Sequence, residues 1–297
     1  MLKRVLPILP FGVMLQQCLM AEPSAMPTKS GAVGVLSEPI VYRVLKDVSY
    51  QGAEPAERAD LYLPVHPAMG LFSPGVIWMH GNHHDKGEAR ERNICSNLAA
   101  AGYIALSINY GTWPDSDAGE EHSPRILQNI ANARNAVRFL RTHAPDYGVD
   151  PTRIALFGGS AGGWLALMVG LTGGEAEFDS SPPYPGVSSG VSAIGDFYAD
   201  VDGWLKSRIT AKSPPVLIIQ GKADPAVDYR DSIGLGQALE AQGVPNELIL
   251  LENVGHAFDL TTWQNKPLPR DLRPVVLAFL EKYLAPPSSR ASSSNRP

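Results

Sequence analysis

Three residues far apart in this chain, a serine, an aspartate and a histidine, are of the types and in the order needed for acyl-transfer chemistry. The serine lies in Gly158-Gly159-Ser160-Ala161-Gly162-Gly163. This G-x-S-x-G pattern follows a strand-like run at 153–157 and opens a helix-like run at 164–169. A strand-to-helix turn this tight holds its serine at a strained backbone angle, and only small neighbours tolerate that. The helix then begins with its N–H groups aimed at the serine oxygen. Taken alone, the pattern also describes an ordinary glycine-rich turn before a buried helix.

A nucleophilic serine needs a base within hydrogen-bond reach and an acid to orient that base. In a parallel sheet both must come from loops at the carboxyl ends of strands. The apolar run 216–220 ends in Gly221-Lys222-Ala223-Asp224-Pro225, and the run 247–251 leads to Val254-Gly255-His256-Ala257-Phe258. Ser160, Asp224 and His256 thus occur in the order expected for this kind of elbow. Asp228 is a second candidate acid, farther from the strand end and better placed to begin a helix. A developing oxyanion needs donors as well. One is the N–H of Ala161, and the others are sought after an earlier central strand, in His80-Gly81-Asn82-His83.

The elements that must position these residues follow from hydrophobic pattern. Short apolar runs at 75–79, 103–109, 153–157, 191–197, 216–220 and 247–251 have the length of strands buried on both faces. The runs at 40–45 and 59–65 precede them, the second alternating polar with apolar. Helical spacing marks 88–101, 124–143, 231–242 and 272–284, and Asp150-Pro151 reads as the turn into the elbow strand. The expectation is an α/β fold with a mostly parallel sheet and helices on both faces. The connection at 198–215 holds about one short helix, near 201–207, so any lid over the site is minimal.

Taken together, His80-Gly81, the elbow, the segment 147–154, Asp224-Pro225 and Gly255-His256-Ala257-Phe258 resemble an α/β-hydrolase fold serine esterase. The resemblance runs from about Val41 to Leu284 and is nearest the hormone-sensitive-lipase and bacterial ferulic-acid-esterase-like branch. It implies a catalytic domain at 40–285 in which Ser160, Asp224 and His256 act on carboxylic esters. Short acyl or hydroxycinnamoyl (acetyl, feruloyl) groups are the implied substrates, on small molecules or plant polysaccharide. It also implies an oxyanion hole from Ala161 and the Gly81-Asn82 segment. Relatives usually carry further glycines after the histidine, where this chain has Asn82 and His83. Asn tolerates left-handed angles, so Asn82 is expected to take a glycine-like conformation, with His83 the alternative donor. Two other readings share the catalytic pattern or the fold: a prolyl-oligopeptidase-like peptidase and a non-catalytic binding protein.

His83, Trp113, Trp204 and Trp263 lie in loops expected at the same sheet edge, where rings can stack on sugars or phenolics; core packing is the other reading for the three indoles. Adjacent His83-His84-Asp85 make a poor metal site, and no cofactor is expected. A net charge of −5 without a basic stripe argues against nucleic acid. At the start, Lys3-Arg4 and an apolar run at 5–15 read as a secretory signal peptide over 1–25, giving a secreted or periplasmic protein. Pro7 and Pro10 break that run, so stable membrane insertion is not expected. A linker at 26–39 follows the leader, and residues 286–297 read as a disordered tail. Without Cys18, Cys95 has no partner and is read as a buried small residue.

Overall fold

The computed structural model describes residues 41–52, 57–67, 71–112, 122–179 and 183–286. The leader, the linker, Trp113 and the tail beyond Pro286 lie outside the described residues. Eight strands form one sheet: β1 (Tyr42–Ser49), β2 (Arg58–Pro64), β3 (Ser73–Met79), β4 (Ile104–Ile108), β5 (Val149–Gly159), β6 (Ala193–Phe197), β7 (Val216–Gly221) and β8 (Asn246–Leu251). Their order across the sheet is 1-2-4-3-5-6-7-8. β2 runs antiparallel to both neighbours, and every other pairing is parallel. The α-helices among the described residues are α1 (Ala89–Ala100), α2 (Pro124–Thr142), α3 (Ala144–Tyr147), α4 (Ala161–Leu171), α5 (Gly203–Ser207), α6 (Tyr229–Ala241) and α7 (Arg273–Leu284). This is an α/β-hydrolase fold.

The central runs contain few polar residues because each strand feeds two cores. On β3, β5 and β7, Ile77, Met79, Ile154, Leu156, Val216 and Ile218 pack with residues of α2, α4 and α6. Their alternates Val76, Trp78, Ala155, Phe157, Leu217 and Ile219 pack with α1 and α7 on the opposite face. The two-residue period therefore survives as a choice between cores. Right-handed crossovers produce the same partition: α1 moves the chain from β3 to β4, and α2 carries it back past β3 to β5. The strand order reverses there, and the crevice outside the carboxyl ends at such a point is where α/β sheets bind ligands. Ser160 directly follows β5.

Helix starts obey local chemistry. Ser123 accepts the Ile126 N–H at 3.3 Å with Pro124 at the first turn of α2, and Asp228 accepts the Arg230 N–H at 2.9 Å to cap α6. Asp228 is therefore a helix cap and not the acid of the site.

Two local expectations are corrected. Asp150-Pro151 is not a turn but part of β5, where Asp150 accepts the Thr152 N–H at 2.9 Å and the register with β3 shifts between Ser73 and Gly75. The sequence reading also lacks a two-stranded hairpin, β9 (Thr262–Trp263) with β10 (Lys266–Pro267). Its turn residues Gln264 and Asn265 have φ of 51° and 60°, the two-residue type I′ geometry that usually advertises itself with glycine. Cys95 is buried and unpaired, and burial pushes its thiol far above the usual range. Among the described residues, no helix is long and apolar enough to cross a membrane.

Candidate active site

β5 ends at Gly159, α4 begins at Ala161, and Ser160 between them has φ 55° and ψ −122°. A non-glycine residue there carries strain on the order of 1–3 kcal/mol, held only because its surroundings over-determine it. Ser160 donates its N–H to the Phe197 carbonyl at 2.8 Å and accepts the Trp164 N–H at 3.0 Å. Glycine is required on both sides for close approach. A Cβ on Gly158 would penetrate the Gly162 carbonyl, and one on Gly162 would penetrate the carbonyls of Met79 and His80. The start of α4 is thereby pressed against the end of β3.

Ser160, His256 and Asp224 form one hydrogen-bonded chain. His256 Nε2 lies 3.0 Å from Ser160 Oγ, and His256 Nδ1 lies 2.7 Å from Asp224 Oδ2. The Asp224 side chain is fully buried, which demands partners for every carboxylate lone pair. Oδ1 accepts the N–H groups of Ala226 at 2.8 Å and Val227 at 3.1 Å. Oδ2 accepts Gln220 Nε2 at 3.0 Å as well as the imidazole. The carboxylate oxygen accepts at Nδ1, which places the His256 proton there and leaves Nε2 free to accept from Ser160.

The loop after β3 closes the other side. A Cβ built on Gly81 would sit 3.5 Å from the Ser160 Cβ, so Gly81 lies against the nucleophile. The first N–H groups of α4, beginning with Ala161, have no intrahelical acceptor and point toward the same region. The expectation for Asn82 is corrected here. It is His83, not Asn82, that takes the left-handed conformation, with φ 62°. The His84 N–H donates to the Gly81 carbonyl at 3.3 Å, making 81–84 a β-turn whose third position needs positive φ. Histidine is among the residues enriched there.

Buried groups fix this loop at both ends. His80 stacks on Tyr110 with ring centroids 4.4 Å apart, donates Nδ1–H to the Gly81 carbonyl at 2.7 Å, and accepts the Tyr110 hydroxyl on its own carbonyl. Desolvation lowers the His80 imidazole to about 4, so it stays neutral and acts as a brace. At the far end, the Lys86 ammonium sits 2.8 Å from Asp60 and 2.9 Å from Asp47, while its N–H reaches Asn109 at 2.7 Å. Burial would raise the Asp60 carboxyl, but hydrogen bonds from Lys46 and Lys86 bring it below the usual range. The triplet His83-His84-Asp85 diverges: His84 pairs with Glu88 at 2.9 Å, Asp85 accepts Asn109 Nδ2 at 2.8 Å, and His83 is exposed.

Two of the three tryptophans are occupied. Trp263 donates its indole N–H to the His256 carbonyl at 3.0 Å, and a Cβ on Gly255 would collide with its ring. It braces the histidine loop. Trp204 has the Arg208 guanidinium over its ring at 4.3 Å and Phe178 and His122 edge-on, so stacking on a sugar through that face is blocked. Gln220, Tyr198 and Trp263 give supports that sequence reasoning missed.

Asp196, on β6 behind the elbow, is fully buried. Its Oδ1 accepts the Ala199 N–H at 3.0 Å, while Oδ2 has no partner among the described residues. Desolvation pushes its carboxyl up to about 7. An unfolded aspartate ionises near 3.9. The folded state therefore binds more protons across this interval, and stability falls as pH rises from about 4 through about 7. Asp196→Asn removes that dependence. Its melting temperature is expected to gain on the wild type from pH 5 to pH 8; a constant difference in thermal melts would contradict the assignment.

The BD-FAE family matches residues 59–207, from β2 through the Gly81 loop and the elbow to α5. Esterase LipC of Mycobacterium tuberculosis is 27% identical over 249 residues, covering 70% of this chain and 59% of its own length. The probable carboxylic ester hydrolase LipM of the same organism is 27% identical over 243 residues, 68% of this chain and 52% of its own. The chain thus spans little more than half the length of either relative. Among solved structures, a truncated carbohydrate esterase from gut microbiota aligns with TM-score 0.67 and 21% identity, covering 83% of this chain and 98% of that one. A propionate-bound thermophilic esterase from Thermogutta terrifontis aligns with TM-score 0.65 and 24% identity, over 83% and 97%. The sheet order, the strained elbow serine and a family match over half its length agree: the chain belongs to the BD-FAE family within the α/β-hydrolase fold.

Proposed function

We propose that this chain is a serine carboxylesterase, on the strength of one observation above the rest: the unbroken hydrogen-bonded chain Ser160–His256–Asp224 at the carboxyl edge of the sheet. Ser160 Oγ attacks the ester carbonyl while His256 Nε2 takes its proton. The tetrahedral oxyanion is held by the Ala161 N–H and by N–H groups of the Gly81-Asn82 segment. Collapse expels the alcohol, which leaves with the proton from His256. A water then gives its proton to His256 and attacks the acyl-enzyme, and the acid departs as Ser160 Oγ is reprotonated. Asp224 keeps the imidazole in the useful tautomer and stabilises the imidazolium.

The substrates proposed are short acyl or hydroxycinnamoyl esters, acetyl and feruloyl above all, on small molecules or plant polysaccharide. Two observations support this. Between β6 and β7 the described residues hold only the five-residue α5, too little for a lid that would shelter a long chain. The aligned structures include a carbohydrate esterase and an esterase with propionate or butyrate bound. Exposed His83 is proposed to line the alcohol side of the site. The Lys3-Arg4 start and the apolar run after it support a secreted or periplasmic location.

A panel of p-nitrophenyl acetate, butyrate and octanoate, methyl ferulate and acetylated xylan tests the reading. Acetate and butyrate are expected to exceed octanoate by at least about tenfold in kcat/KM. Octanoate turned over as well as acetate overturns the short-acyl assignment. Cleavage of proline-containing peptides with no ester hydrolysis overturns the esterase itself.

A further inference from the structure

We infer that Tyr198 is a positioning residue for His256: it wedges between the nucleophile elbow and the histidine loop and sets the Ser160–His256 separation. The inference rests on the serine-esterase reading above and assigns a role to a residue outside the triad and the oxyanion hole.

Tyr198 directly follows β6, and its surroundings touch both halves of the site. On the elbow side, its hydroxyl fills the space over Gly159, the residue before the nucleophile; a Cβ there would lie 2.5 Å from the Tyr198 oxygen. On the other side, the same hydroxyl donates to the Phe258 carbonyl at 3.1 Å, two residues beyond His256. The ring meets the His256 imidazole at a centroid distance of 4.9 Å and 65°, and the Phe258 ring at 4.7 Å and 71°. One side chain thus contacts the peptide that carries Ser160, the ring of the base, and the backbone that carries the base.

The backbone argues the same way. Tyr198 has φ 48°, a left-handed conformation rarely taken by an aromatic residue. It is held there by its N–H, which donates to the Ile219 carbonyl at 2.9 Å. Packing alone does not call for this, since an unstrained aromatic could fill the core beside Phe197. Strain of this kind persists where the surrounding structure imposes a geometry with a use. The histidine loop is irregular as well, with Ala257 at φ 64°. Such a loop holds its shape through specific bonds. The Trp263 indole on the His256 carbonyl and the Tyr198 hydroxyl on the Phe258 carbonyl are among them.

The experiment compares Tyr198→Phe and Tyr198→Leu with the wild type in the full chain, using p-nitrophenyl acetate kinetics, the rate of fluorophosphonate labelling, and thermal melts. Phe keeps the ring and loses the clamp on Phe258; Leu loses both. Expected are a fall in kcat of about fivefold for Phe and about 100-fold for Leu, with KM within about twofold throughout, as misplacement of a base by a fraction of an ångström produces. Labelling should slow in the same order. Wild-type kcat in the Phe variant, with losses in Leu no larger than its unfolded fraction, overturns the inference. If Leu does not fold, the Phe variant decides by itself, wild-type kcat again counting against. Wild-type protein inert to both ester and fluorophosphonate overturns the esterase reading and this role with it, whereas an active wild type with indifferent variants sinks only the role of Tyr198.

Discussion

Ser160→Ala is expected to reduce kcat/KM for p-nitrophenyl acetate by at least about 10⁴-fold, because the members of such a triad act as a unit and loss of the nucleophile removes nearly everything they supply. The fold should survive. What holds Ser160 in place is backbone, namely its N–H on the Phe197 carbonyl and its carbonyl under the Trp164 N–H, and both bonds persist in alanine. Alanine is no worse than serine at φ 55°, the residue is partly exposed, and among the described residues the lost hydroxyl bonds only to His256 Nε2. Melting within about 2 °C of the wild type follows for a substitution without cavity, cap or buried-charge consequences. Fluorophosphonate labelling should vanish in the same variant. Undiminished ester turnover by folded Ser160→Ala protein would remove Ser160 from the chemistry.

The residues that react were legible because each announces itself locally. Ser160 has glycines on both sides, and the structure shows why no larger residue fits at 158 or 162. Asp224 and His256 each follow the end of an apolar strand, and a parallel sheet delivers such loops to one edge. The residues that hold them were not legible, since their roles are contacts between distant segments. Nothing adjacent to Gln220 marks it as a donor to Asp224. Tyr198 reaches Phe258 across sixty positions, and its left-handed backbone leaves no trace in composition. Turn chemistry misled twice. Asn82 is the better left-handed residue by propensity, yet the Gly81–His84 hydrogen bond assigns that conformation to His83. The hairpin at 262–267 turns on Gln264-Asn265, without the glycine that a type I′ turn prefers. In each case the turn the chain adopts outweighed a preference of a few tenths of a kcal/mol to about 1 kcal/mol.

Asp224→Asn is the second large effect expected, and the surrounding donors dictate its direction. Gln220 Nε2 faces the carbonyls of Gly221 at 3.1 Å and Val227 at 3.5 Å, so that amide is oriented as a donor toward residue 224. The Ala226 and Val227 N–H groups donate to the opposite oxygen. An asparagine must give its single oxygen to one side. If it faces the two backbone N–H groups, its Nδ2 opposes Gln220 Nε2 and turns toward His256 Nδ1. The imidazole must then accept at Nδ1 and carry its proton on Nε2, where it cannot take a proton from Ser160. If the amide flips, both backbone donors lose their acceptor, and the buried Val227 N–H alone then costs roughly 1–3 kcal/mol. The first arrangement therefore prevails, and kcat should fall by about 10⁴-fold, the cost of the wrong tautomer in a triad of this kind. Binding has no reason to change, so KM should stay within about threefold. Nitrogen chemical shifts of His256 provide a check independent of turnover: Nδ1 should carry the proton in the wild type and Nε2 in Asp224→Asn. A variant that keeps the wild-type tautomer, or loses less than about tenfold in kcat, would leave Asp224 without the orienting role that its four donors imply.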